Sequence, residues 1–114
     1  MNQEPGTKNQ EQVSPFQRRV YAALLRVPAG RVTTYGRLAR QVGCASAQAV
    51  GQALRHNPYA PAVPCHRVIA ADLTPGGFNG RRSGPELARK RALLAAEGVA
   101  FGAGGALADP WRVW

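Results

Sequence analysis

The 114-residue sequence predicts a mainly α-helical domain built around a helix-turn-helix, with one short strand or ribbon element. Three features carry that prediction. Apolar side chains recur at helical spacing after Ser14-Pro15, two short helical segments flank a tight turn at Gly43, and a capping signal at Ser83 opens a last helix that stops at Gly98. A single domain of this length can bury a modest core without help from disulfides.

The elements follow in order. Ser14 can cap a first helix and Pro15 is tolerated at its first position. Phe16, Val20, Leu24 and Val27 then repeat at helical spacing until Pro28-Ala29-Gly30 ends the segment. Residues 31–34 form a short connector whose Thr34 can cap a second helix, from residue 35 to about 42. After Gly43, Cys44 and Ala45, Ser46 can cap a third, which runs to about residue 56 before Asn57-Pro58 breaks it. Two short helices on a tight glycine-containing turn fit a helix-turn-helix. The third helix is rich in small residues, Ala47, Ala49, Gly51 and Ala53, and Gly51 costs about 1 kcal/mol of helix propensity relative to Ala. Small side chains let a backbone come close to another surface, either a neighbouring helix or a DNA groove. A proline-punctuated loop follows, then a short strand at Val68-Ile69-Ala70. Residues 72–82 carry too many glycines for regular structure and form a loop that displays Phe78. Ser83-Gly84-Pro85-Glu86 reads as a capping box for a helix over residues 86–97, with Leu87, Lys90-Arg91 and Leu93-Leu94 giving one apolar and one basic face. Trp111 and Trp114 in the tail are expected to pack on the body. Residues 1–13 read as a disordered polar tail, and 14–114 as the domain.

Charge narrows the partners. Fifteen Lys and Arg oppose six acids, for a net +9, and thirteen of the fifteen are Arg. Such a balance favours a polyanion, and the planar guanidinium fork suits phosphates and base edges, so nucleic acid is expected rather than a membrane surface. Two cysteines make no disulfide framework, and no CxxC or paired-His pattern offers a metal site. No apolar run approaches the ~20 residues of a membrane span, and the polar start lacks a signal peptide's apolar stretch, so a cytoplasmic protein with reduced thiols is expected.

Within "VPCHRVIA" the thiol of Cys65 stands beside His66 and Arg67. A free cysteine is commonly a small buried side chain, whereas nearby positive charge raises the thiolate fraction and makes a nucleophile. Sequence adjacency leaves both readings open. Cys44 reads as a small residue in the turn.

The segments "GRVTTYGRLA", "AVGQALRHNP", "VPCHRVIA" and "KRALLAAEG" occur in that order, and together they resemble the C-terminal domain of the O6-alkylguanine-DNA alkyltransferases over about residues 14–98. The resemblance implies a winged helix-turn-helix that binds double-stranded DNA, flips an O6-alkylguanine out of the stack and moves the alkyl group irreversibly to a cysteine. It implies no cofactor, one reaction per molecule and a monomer. Residue by residue, Cys65 corresponds to the acceptor, His66 to the base that deprotonates it through a water, Glu97 to the carboxylate orienting His66, and Asn57 to the hinge. Tyr35, beside Thr34, corresponds to the tyrosine near the flipped nucleotide, and Ala49 and Arg55 lie on the helix that meets DNA. The carbonyls of Cys65 and Val68 correspond to readers of the guanine amine, and residues 76–80, reaching to Phe78 and Asn79, to the loop over the base. This agrees with general chemistry. An ordinary thiol is only a few per cent ionised near neutrality, so a base helps; a carboxylate fixes the tautomer of a catalytic His; and an atom inside the duplex is reached only by everting its base.

Departures from the family pattern define an alternative. Gln48 stands where an intercalating Arg is usual, Phe78 replaces a Tyr, and residues 81–85 lengthen the loop before the last helix. With the Trp-containing tail, these are similar to the alkyltransferase-like proteins, which bind O6-alkylguanine without removing the alkyl group and direct it to nucleotide excision repair proteins. A transcription regulator reading the major groove is disfavoured, because the third helix offers few long side chains for base edges.

Overall fold

The computed structural model describes residues 13–59, 62–77 and 84–114. Among these, helix α1 spans Pro15–Leu24, strand β1 Thr33–Thr34, α2 Tyr35–Gln41, α3 Ala47–Arg55, strand β2 Val68–Ile69 and α4 Pro85–Ala96. Single 3-10 turns cover Cys65–Arg67 and Pro110–Arg112. No helix among the described residues is long and apolar enough to cross a membrane.

Side-chain caps set the first three helix starts. Ser14 Oγ accepts from the Gln17 N–H at 3.0 Å while Gln17 Oε1 accepts from the Ser14 N–H at 2.7 Å, a reciprocal capping box. Thr34 and Ser46 accept from the N–H groups of Arg37 and Ala49 in the same way. Helix α1 ends at Leu24, sooner than the apolar repeat suggested, because the N–H groups of Arg26 and Val27 turn back to Ala23 and Leu24 in tighter i→i+3 bonds. Val27 stays buried all the same. The start of α4 departs from the sequence expectation. Gly84, at φ 79°, is the N-cap without a side-chain hydrogen bond, and Ser83 lies outside the described residues.

The helices pack α1 on α2 and α3, with α2 and α3 joined by a turn in which Gly43 takes φ 73°. Val20, Tyr21, Leu24, Leu38, Val50 and Leu54 form the core of this trihelical unit, and Val63, Cys65 and Val68 extend it toward the sheet. Tyr21 Oη donates to the Ala53 carbonyl at 2.7 Å, which satisfies a buried hydroxyl. A second cluster, Val32, Ile69, Leu94, Val99 and Leu107, binds α4 and the tail to the two strands.

Residues 33–34, expected as part of a connector, form β1 and pair in parallel with β2 in the register Thr33–Val68 and Thr34–Ile69. On the other side, Val32 bridges to Val113 in parallel, with Val32 N–H on Arg112 O and Trp114 N–H on Val32 O. The tail also makes an antiparallel bridge, Phe101 to Leu107, around a turn at Gly102–Gly105. Leu107 N–H donates to the carbonyl of Leu73, a residue held at φ 68°, and so ties this ribbon to the loop after β2. Only one tryptophan packs as expected. Trp114 lies against the core, whereas Trp111 is 62% exposed, its ring covered by the guanidinium of Arg112 at 4.5 Å and approached by that of Arg31 at 5.7 Å.

Candidate active site and nucleic-acid interface

Helix α3 is two-faced. Val50, Ala53 and Leu54 enter the core, and Ala47, Gln48, Gly51, Gln52 and Arg55 line a groove of about 970 Å³. Cys65 lies in that groove, with Tyr35 and the loop at Ala70–Ala71 and Thr74–Gly77 on its other walls. The small residues divide between the two alternatives: Ala53 packs in the core, whereas a methyl added at Gly51 would meet no heavy atom of the described residues within 4 Å beyond its own helix.

The turn holding Cys65 is positioned by Asn57 and by Glu97. Asn57, one residue past the C-cap of α3, donates from Nδ2 to the Val63 carbonyl at 3.1 Å and accepts from the Tyr59 N–H at 2.8 Å. Glu97, at the end of α4, accepts three side-chain hydrogen bonds. Arg67 Nε and Nη2 hold its two oxygens at 3.0 and 2.7 Å, and His66 Nε2 lies 3.0 Å from Oε2. Arg67 also donates to the Val27 carbonyl at 2.8 Å, anchoring the group to the end of the first helical segment. Burial alone would raise the Glu97 carboxyl, but the hydrogen bonds and charges of Arg67 and His66 overcome it and hold the group down at about 2. Glu97 is therefore a carboxylate that only accepts, so His66 Nε2 carries the hydrogen and a neutral ring leaves Nδ1 as the free base.

Burial holds the Cys65 thiol above its ordinary value, and hydrogen bonding to the Asn57 side chain and the charge of Lys90 offset this only in part. Lys90 was expected on a basic helix face. It is instead fully buried. At i, i+3 and i+7, Leu87, Lys90 and Leu94 share one helix side, and the ammonium reaches across to donate to the carbonyls of Val68 at 2.6 Å and Gly77 at 2.9 Å. Burial brings its pKa down to about 8, against the stabilising charge of Cys65. Tyr35 Oη donates to the same Gly77 carbonyl at 3.4 Å, so α4 and α2 together hold the loop closed over β2.

The remaining expected site residues fall as follows. Thr34 is buried, with its hydroxyl used as the α2 cap. Gln48 and Arg55 are exposed along the groove, and Ala49 lies half-buried in the first turn of α3. The Val68 carbonyl, expected to face the guanine amine, already accepts from Lys90, leaving it one further lone pair. Phe78 and Asn79 lie outside the described residues. Sequence reasoning missed two participants, Arg67 and Lys90. A charged residue standing on an apolar stripe was the available signal for Lys90. Cys44 sits in the turn, its sulfur 3.3 Å from the Ser46 N–H.

A helix-turn-helix whose second helix borders a groove lined by a thiol, with a His–Glu–Arg cluster at the same turn, is the class of domain these residues define. The chain belongs to the 6-O-methylguanine DNA methyltransferase DNA-binding domain family, which matches residues 15–99. The methylated-DNA–protein-cysteine methyltransferase of Mycolicibacterium paratuberculosis is 48% identical over 85 residues, covering 74% of this chain and 48% of the relative. The chain thus spans about half the length of the curated relatives it matches. Among solved structures, Mycobacterium tuberculosis OGT in complex with DNA is similar at a TM-score of 0.66 and 47% identity, over 74% of this chain and 50% of that one. S. pombe Atl1 in complex with damaged DNA containing O6-carboxymethylguanine is similar at a TM-score of 0.73 and 35% identity, over 87% of this chain and 94% of that one.

Proposed function

We propose that the chain binds duplex DNA through α2 and α3, receives an everted O6-alkylguanine in the groove and accepts its alkyl group on Cys65. The observation that carries this reading is Cys65 lining the α3 groove while the adjacent His66 is held by an ionised Glu97. His66 Nδ1 takes the thiol proton through a bridging water, and Glu97 stabilises the imidazolium. The thiolate attacks the alkyl carbon, an S–C bond forms as the C–O6 bond breaks, and the electron pair leaves on the purine. The proton taken from the thiol returns to the base, so guanine is restored and Cys65 becomes a thioether. Nothing regenerates the thiol, so each chain reacts once. Asn57 fixes the hinge between α3 and the cysteine turn, and Tyr35 lies against the nucleotide. Gln48 fills the vacated stack, Arg55 meets phosphate, and Phe78 and Asn79 complete the cover over the base. Thr34 acts from beneath the surface by capping the start of α2, and Ala49 lies in the turn of α3 that meets the DNA backbone. The site of action is the DNA itself, in the cytoplasm.

The test is stoichiometric. A duplex carrying O6-methylguanine is incubated with increasing protein, and the oligonucleotide is weighed. Conversion to guanine should rise linearly and stop at one lesion per chain, and binding should weaken steeply with salt. A lesion strand left unchanged beside saturating protein would sink the transfer reading. One observation favours a second reading. The likeness to Atl1 extends over 94% of that protein, and Gln48 lacks the charge and stacking plane of Arg, which suits a binder that holds O6-alkylguanine for nucleotide excision repair proteins.

A further inference from the structure

The groove beside Cys65 is larger than a base bearing a methyl requires, lying at the upper end of the ~300–1,000 Å³ usual for small-molecule sites. Its lining includes several residues without bulk, Ala70, Ala71, Gly76 and Gly77 from the loop and Gly105 from the tail ribbon. Its charge is one-sided. No Asp or Glu lines it among the described residues, and two guanidiniums do, Arg55 from α3 and Arg91 from α4. These two arginines are not equivalent. Arg55 closes the helix that faces DNA, where phosphates neutralise it. Arg91 reaches the groove from α4, one turn beyond Leu87, with its guanidinium over the Phe101 ring at 5.8 Å. Stacking on an aromatic face restricts a long side chain while leaving its N–H edge to donate in the ring's own plane.

We propose that Arg91 is a specificity residue that makes the groove favour O6 substituents ending in a carboxylate, of which carboxymethyl is the smallest. This rests on the reading of the groove as an O6-alkylguanine site. A guanidinium gives a carboxylate two parallel hydrogen bonds that a neutral amide of the same shape cannot match. Wide, glycine-lined walls admit the added atoms without displacing the base.

The experiment compares three duplexes carrying O6-methylguanine, O6-carboxymethylguanine and its neutral amide, O6-carbamoylmethylguanine, with an undamaged duplex as reference. Binding is measured on the full chain carrying Cys65→Ala, so that transfer cannot consume the lesion. The carboxymethyl duplex should bind about fivefold tighter than the amide, a modest ratio because Arg91 is exposed. Adding Arg91→Ala should bring that ratio to one and leave O6-methylguanine affinity within about twofold, while Arg91→Lys should retain part of it. Equal binding of acid and amide before Arg91 is changed would overturn the inference. So would an Arg91→Ala loss that is equal on all duplexes and accompanied by a shallower salt dependence, which marks a phosphate contact. Failure to prefer O6-methylguanine over guanine is a separate result, and it overturns the parent reading together with this one.

Discussion

Replacing Gly51 with Ala separates what the fold needs from what a partner needs. Glycine in a helix interior costs about 0.5–1 kcal/mol relative to alanine, through backbone entropy. The added methyl would meet no heavy atom of the described residues within 4 Å beyond its own helix, and Gly51 is not among the positive-φ residues, so no clash or strain offsets the gain. Gly51→Ala should therefore stabilise the free protein by about 0.5–1 kcal/mol, roughly 3–6 °C in Tm for a domain of this size. The same methyl is added on the groove that Gly51 lines, where the proposed function places DNA. Forcing an extra methyl into a closely fitted contact typically costs about 1–3 kcal/mol, or roughly 5- to 150-fold in affinity. Differential scanning calorimetry and fluorescence anisotropy on a short lesion duplex read the two effects separately. A lower Tm would mean that the helix face is packed inside the chain. An unchanged affinity with a raised Tm would mean that this face of α3 does not approach DNA, and the interface would have to be sought elsewhere.

Two further perturbations address the site. Lys90→Met removes the charge that acts downward on the Cys65 thiol, so the pH at which iodoacetamide labels Cys65 half-maximally should move up, with Cys44 as internal control; an unmoved profile would make Lys90 only a tie between Val68 and Gly77. Glu97 is held at about 2 against an ordinary 4.5, so its contribution is fully present above pH ~4.5 and is lost as pH falls toward about 2. With its side chain 18% exposed and partly screened, the loss should be about 1–2 kcal/mol, and Glu97→Gln should be less stable at neutral pH and flat across that window in urea titrations. A wild-type curve equally flat there would show that Arg67 and His66 do not hold the carboxylate in solution.

The helices were legible because their caps are local. Ser14, Thr34 and Ser46 each act within three residues, so the sequence spacing alone locates the helix starts. Of the two strands, β2 was legible at Val68-Ile69 and β1 was not. Two residues carry no period, and β1 exists because Val68 and Ile69 arrive beside it from 35 positions away. Partners distant in sequence also hid Lys90. Its spacing on α4 put it with Leu87 and Leu94, but only the loop after β2 supplies the carbonyls that make burial of an ammonium tolerable. Arg67 shows the reverse case, adjacent to His66 in sequence and joined to it through Glu97, thirty residues on. The Cys65–His66–Glu97–Asn57 set was named from family resemblance rather than from spacing. The structure brings His66 and Glu97 into contact and sets Asn57 at the start of the cysteine loop.

The central claim is that Cys65 is the acceptor. It is tested most directly by incubating the chain with an equimolar O6-methylguanine duplex, digesting it and mapping both cysteine peptides by mass. The account predicts that the Cys65 peptide gains one CH2 unit, the Cys44 peptide gains none, and Cys65→Ala abolishes the gain. A duplex bound tightly while the Cys65 peptide keeps its original mass would contradict it.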